Sequence, residues 1–230
     1  MDSNKKTARI AGLLYLTVVL TGIFHLMYVP SRLIVWDNAS VTFNNILESE
    51  TLFRLGIVVG IVCYTAFLIL PFVLYKLLHQ VHKTFAIGMV ILAVISVPIS
   101  LINLLNKVNV LTLIGKAQYP QVIGTDELQA QVLLYLDFYN NGMKIASLFW
   151  GLWLLPFGYL VFKSGFLPKL LGIFLMAGCF GYLTNFIGGF LIPNYGDLGI
   201  SRMISLPATI GEIGICLWLL IIGVWHKQTV

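Results

Sequence analysis

Charge is scarce in this sequence. Only 10% of its 230 residues are Asp, Glu, Lys or Arg, against about 25% in a soluble globular domain, which excludes an ordinary water-solvated fold. Cysteine is scarcer still. Cys63, Cys179 and Cys216 stand singly inside apolar runs, without CxxC spacing. A disulfide framework or thiolate metal site is therefore not expected, and the three read as small buried apolar residues. The four histidines give no HExxH pattern, and GxSxG, a P-loop and a glycine-rich dinucleotide turn are all missing. No catalytic set, metal site or cofactor can be assigned, so the expectation leans away from an enzyme. The net charge of +5 comes from residues scattered through turns, and is no footprint for nucleic acid.

Hydrophobic residues make up 59% of the chain, and the mean hydropathy is +0.93. Crossing a hydrocarbon core of about 30 Å takes roughly 20 mostly apolar residues as helix. Six runs qualify, near Arg9–Pro30, Phe53–Tyr75, Phe85–Leu105, Gly142–Phe162, Phe166–Leu191 and Leu206–Trp225. The first is longer than a signal-peptide core, and no small-x-small cleavage pattern follows it. The sequence thus predicts an all-α integral membrane bundle of six transmembrane helices in a single domain over 1–230. Lys5, Lys6, Arg9, Lys76, Lys83, Lys163, Lys169 and Lys227 fall on the side of the termini. Asp2 is the only acid there, and the other eight acids lie opposite. The positive-inside rule then places both termini in the cytoplasm.

The inner turns, 76–84 and 163–167, are short, and Gly165 and Pro168 punctuate the second. The outer connections are long. Residues 31–52 contain a candidate amphipathic helix around Asn44-Asn45-Ile46-Leu47. Residues 106–131 carry Tyr119-Pro120 and Gly124, then Thr125-Asp126-Glu127 as a helix start with acids in its first turn. A helix from Asp126 to Lys163 would be about 57 Å long, so it projects outward or bends near Asn140-Asn141-Gly142. Leu70-Pro71-Phe72 with Lys76 echoes Leu155-Pro156-Phe157 with Lys163, either as a parallel duplication or as a chance match between apolar segments.

Polar residues recur at helical steps. Asp137, Asn140, Asn141, Lys144, Ser147 and Gly151 form one stripe that cannot face lipid. Thr17, Thr21, His25 and Tyr28 mark the first helix, and Ser96, Ser100, Asn103 and Lys107 the third. Gly178, Gly181, Asn185 and Gly188 mark the fifth, and Ser205, Thr209 and Glu212 the sixth. Glu50 and Arg54 stand four apart in the favourable acid-then-base order. Ionisable groups inside a membrane normally pair or line a wet cavity. The candidate is an outward-facing polar cavity for a small polar or anionic ligand or a lipid headgroup, walled by His25, Arg54, Asn103, Asp137, Asn141, Lys144, Asn185 and Glu212, with Lys144 and Glu212 as a candidate ion pair. Hydrogen bonding between helices is the competing account of the same residues. His25 reads more readily as a hydrogen-bonded boundary histidine than as a ligand. His79 and His82 read as part of a solvated basic turn, and Trp150, Trp153, Trp218 and Trp225 as packing and interfacial anchors. The Gly178, Gly181, Gly188 face is the feature that would fit an accessory subunit docking on a membrane-protein partner. An intramembrane enzyme acting on lipid would instead need titratable groups that converge.

Several motifs resemble a bacterial and archaeal family of multi-pass membrane proteins catalogued as domain of unknown function 4386. They are Ala8-Arg9-Ile10-Ala11-Gly12, Leu52-Phe53-Arg54, the segment from Gly151 through Pro156-Phe157-Gly158 to Val161, Ser164 to Gly172, Gly181-Tyr182-Leu183, and Pro207 with Gly211-Glu212. The resemblance covers most of the chain. It implies a multi-pass protein of a prokaryotic plasma membrane, embedded in the lipid bilayer, with Arg54, Pro156 and Glu212 as characteristic positions. It implies no activity.

Overall fold

A computed structural model describes residues 3–115 and 124–225. Asp2, Tyr119, Pro120 and Lys227, used above for charge and loop assignments, lie outside the described residues. The protein is all-α, and six helices are long and apolar enough to cross a membrane: Asn4–Leu33, Glu50–Leu78, Lys83–Gly115, Thr125–Ser164, Lys169–Leu191 and Ile200–Ile221. Large apolar side chains lie open on their surfaces, among them Leu191 at 75% and Met203 at 72% exposure. Such surface is stable against lipid and not against water.

Three of the six spans are interrupted, and proline explains two of the breaks. The first comprises α1 (Ser3–Gly22), a π-helical turn (Ile23–Tyr28) and α2 (Val29–Leu33). Pro30 has no N–H to return to residue 26 and its ring presses on that carbonyl. The preceding turn widens, with Val29 N–H bonding to the Phe24 carbonyl. The second span, α4 (Glu50–Leu78), carries Pro71 without a break, after the short amphipathic α3 (Ala39–Glu48). The third runs as α5 (Lys83–Asn103) and α6 (Leu105–Gly115), stepping at Leu104. The fourth divides at Trp153 into α7 (Thr125–Leu152) and α8 (Leu154–Ser164). Pro156 lies four residues past Leu152 and excludes that residue's carbonyl from the ladder. Of the two alternatives for this long helix, projection outward or a bend near Asn140-Asn141-Gly142, a break at those residues does not occur, and the helix runs unbroken through them. The fifth and sixth spans are α9 (Lys169–Leu191) and α10 (Ile200–Ile221).

The expected outer connections are more ordered than the sequence suggests. The α3 helix forms where expected. Asn38 caps it by accepting from Val41 N–H at 3.0 Å. Thr42, fully buried, closes the approach loop by accepting from Val35 N–H at 2.8 Å and donating to its carbonyl at 2.9 Å. Much of the presumed 106–131 connection is helix, since α6 continues to Gly115 and α7 starts at Thr125 with Asp126 and Glu127 in its first turn.

The chain forms two compact units, and the longer helices run through both. One comprises Val18–Tyr64 and Pro98–Met143. Its apolar core gathers Val29, Leu33, Phe43, Ile46, Phe53, Val110, Val132 and Leu136. The other comprises Met1–Thr17, Thr65–Val97 and Lys144–Val230. At its centre lies Trp153, with no exposed surface, packed on Tyr15 at 6.1 Å, Phe67 at 5.2 Å and Phe157 at 5.1 Å between ring centroids. Small residues let backbones touch there. A Cβ on Gly178 would lie 2.7 Å from the Ala208 Cα, and one on Gly12 would collide with the Leu220 backbone.

Candidate functional site

The helices of the first unit bury a polar cluster. Lys107 follows Asn103 by four residues across the step at Leu104, so both side chains turn inward, at 2% and 8% exposure. The Lys107 ammonium sits 4.0 Å from the centre of the Tyr139 ring. This cation–π contact is worth about 2 kcal/mol or more once water is excluded. Among the described residues it meets no carboxylate. The Asn103 amide donates to the Tyr139 carbonyl at 2.7 Å, and its oxygen accepts from Asn106 at 3.0 Å. Gly142 leaves room for this, since a Cβ there would collide with the Asn103 amide.

His25 enters the same cluster from the π-helical turn. It is fully buried, edge-on to Tyr64 at 5.2 Å, and close enough to Lys107 to interact with its charge. Gly60 faces it, and a Cβ at that position would lie 3.2 Å from His25 Nδ1. Among the described residues, neither imidazole nitrogen has a hydrogen-bond partner. The Tyr64 hydroxyl lies 3.5 Å from the Met143 sulfur and interacts with the neighbouring Tyr139 hydroxyl. Buried polar groups are nearly always satisfied, so an imidazole without partners beside an ammonium without a counter-charge among the described residues marks a place built for more than packing. π-Helical turns recur at such places.

The second unit holds two further polar groups. Tyr15 donates its hydroxyl to Glu212 Oε1 at 3.0 Å, and the Tyr182 hydroxyl bonds to the same carboxylate, which ties α1 and α9 to α10. Asn185 donates to the Ser201 carbonyl at 3.2 Å and to the Ser205 hydroxyl at 2.9 Å, and accepts from the Tyr195 hydroxyl at 2.8 Å. This fastens the turn between α9 and α10.

The eight residues expected on one wall are therefore distributed. His25 and Asn103 share the buried cluster of the first unit. Glu212 and Asn185 belong to separate groups in the second. Lys144 is half-buried and engaged in an interaction of its own. Asp137 and Asn141 are exposed. The buried face of α7 is the other one, through Leu128, Val132, Leu136, Tyr139, Met143 and Ala146. Arg54 is exposed and bonds Glu50 at 2.6 Å, in the i, i+4 arrangement expected. Solvent-screened pairs of this kind contribute about 0.3–0.5 kcal/mol, so Arg54→Ala should lower stability by less than about 0.5 kcal/mol. Thermal unfolding in detergent checks this.

Sequence reasoning missed Tyr64 and Tyr139 and left Lys107 outside the site. The Asn103–Lys107 spacing was the available signal. The glycine face offered to a partner helix is filled from within the chain: Gly178 by Ala208, Gly181 by Ile204 and Gly188 by Tyr195. The proline echo does not superimpose in burial, since Leu70 and Phe157 are fully buried while Leu155 and Phe72 are 39% and 49% exposed. The two segments thus present different positions to the core. All three cysteines are free and buried. Among the described residues, no group of three His, Cys, Asp or Glu gathers as a metal site.

No curated protein and no solved structure matches the chain. Residues 10–223 match the family described as a domain of unknown function (DUF4386), and over that nearly complete span the chain belongs to it.

Proposed function

We propose that this multi-pass membrane protein binds a small anionic molecule at the buried cluster of Lys107, His25, Tyr64 and Tyr139. One observation carries the reading: the Lys107 ammonium is buried on an aromatic face and meets no carboxylate among the described residues. An uncompensated charge in a dry interior costs several kcal/mol, and a bound anion offsets that cost. The site expected from sequence, with Arg54 and Lys144 supplying charge to an outer cavity, gives way to one centred on Lys107. The basic turns at Lys76 to Lys83 and Lys163 to Lys169 support termini on the cytoplasmic face of a prokaryotic plasma membrane. The accessory-subunit reading loses its main support, because the glycine face is occupied within the chain.

Native mass spectrometry of the purified protein tests the assignment. The wild type is expected to retain a discrete anionic molecule, and folded Lys107→Met to lose it. A wild type without bound anion, together with a Lys107→Met variant altered only in stability, would make the cluster structural and sink the proposal.

A further inference from the structure

The chemistry of the cluster narrows what can occupy it, and this step rests on the anion reading above. One full positive charge is present, on Lys107. The other titratable groups facing it, His25, Tyr64 and Tyr139, supply neutral donors, and Cys63 is held by the Val18 carbonyl at 3.5 Å. Asn103 is committed to Tyr139 and Asn106. The donors left over are the ammonium hydrogens and one imidazole N–H. No arginine takes part, so the bidentate fork that suits phosphate is missing.

From this count we infer that the site selects a carboxylate, a planar monovalent oxyanion. Its single charge cancels that of Lys107. Its two oxygens accept from the ammonium and from His25. A divalent oxyanion would leave one negative charge uncompensated in the same dry interior. A neutral ligand would leave the ammonium unmatched. Placing His25 in a widened π-helical turn opposite Gly60 brings a neutral donor to face the charge without adding a second one. The carboxylate has two sources, a water-soluble acid or a fatty acid from the bilayer, and the two share this head-group chemistry.

The full-length protein in lipid nanodiscs is titrated with propionate, oleate, sulfate and chloride, following thermal unfolding by intrinsic fluorescence. Propionate or oleate is expected to stabilise saturably, with an apparent Kd at least tenfold below that of sulfate or chloride. Response to propionate identifies a soluble acid, and response to oleate alone identifies a lipid-derived one. Lys107→Met should abolish the shift, Lys107→Arg should keep it, and His25→Leu should weaken binding at least tenfold. If Lys107→Met does not fold, the wild-type selectivity and His25→Leu decide the matter. Sulfate or chloride binding as tightly as the carboxylates would overturn the selectivity and leave an anion site standing. If folded wild type carries no co-purified anion by native mass spectrometry and responds to none of the four, both readings fall.

Discussion

Replacing Gly158 by alanine is expected to cost this protein about 2 kcal/mol or more, although alanine is the better helix former by about 0.8–1.0 kcal/mol. The α8 and α9 helices cross with their backbones in contact. A Cβ on Gly158 would lie 2.6 Å from the Gly172 carbonyl oxygen and 2.8 Å from the Met176 nitrogen. The contact is reciprocal, since a Cβ on Gly172 would lie 2.7 Å from both the Gly158 oxygen and the Phe162 nitrogen. Backbone atoms cannot rotate aside as a side chain can, so the helices must separate along their crossing. Lipid is as apolar as the surfaces being separated, so helix association within a membrane depends on close packing rather than on the hydrophobic effect. Gly88 provides the control. It lies in α5 with nothing within 4 Å of its Cβ position, and Gly88→Ala should be neutral or stabilising by up to about 1 kcal/mol. Unfolding in mixed detergent micelles compares the two. Equal effects from both substitutions would show that helix propensity, not the crossing, sets the outcome.

This crossing illustrates what was legible in the sequence. Gly158 and Gly172 lie within the motifs that carried the family resemblance, and the six spans follow from apolar length, because bilayer thickness fixes how much helix each must supply. The helical parts outside those runs were harder to see. The α6 sequence, Leu105-Asn106-Lys107-Val108-Asn109 onward, carries three polar residues in its first turns and reads as loop. Its inward face becomes visible only once Tyr139 is known to lie opposite Lys107. The stripe from Asp137 to Ser147 drew notice because it was charged, yet Asp137, Asn140 and Asn141 are exposed, and the residue that matters on that helix is an aromatic one on the other side. Periodicity identifies a face but does not say which way it turns, and near the end of a long helix a polar face can be satisfied by water or headgroups. Arg54 was paired correctly because its partner is local. The partners of Glu212 were not foreseen, because Tyr15 and Tyr182 are distant in sequence and look no different from surface tyrosines such as Tyr28.

Those two phenols make Glu212 the position where the kind of substitution should matter most. Glu212→Leu removes the acceptor shared by Tyr15, which is 2% exposed, and Tyr182, leaving two hydroxyls without partners. Each orphaned buried donor costs about 1–3 kcal/mol, and water cannot repair the loss inside hydrocarbon. A decrease of about 2–5 kcal/mol is therefore expected for Glu212→Leu. Glu212→Gln keeps a carbonyl oxygen that can accept, and should lose less than half as much. Tyr15→Phe and Tyr182→Phe, added to Glu212→Leu, remove the orphaned donors, and replacing both sides of a hydrogen bond by apolar groups is close to neutral. The triple variant should accordingly recover to within about 1 kcal/mol of the wild type, although it carries three substitutions and the damaged variant only one. Thermal or denaturant unfolding of the four proteins in one detergent measures the series. Recovery in the triple variant would show that the carboxylate serves to satisfy the phenols joining three helices. Equal losses for Leu and Gln without recovery would instead assign Glu212 a need for its charge, and the hydrogen-bond account of this group would be lost.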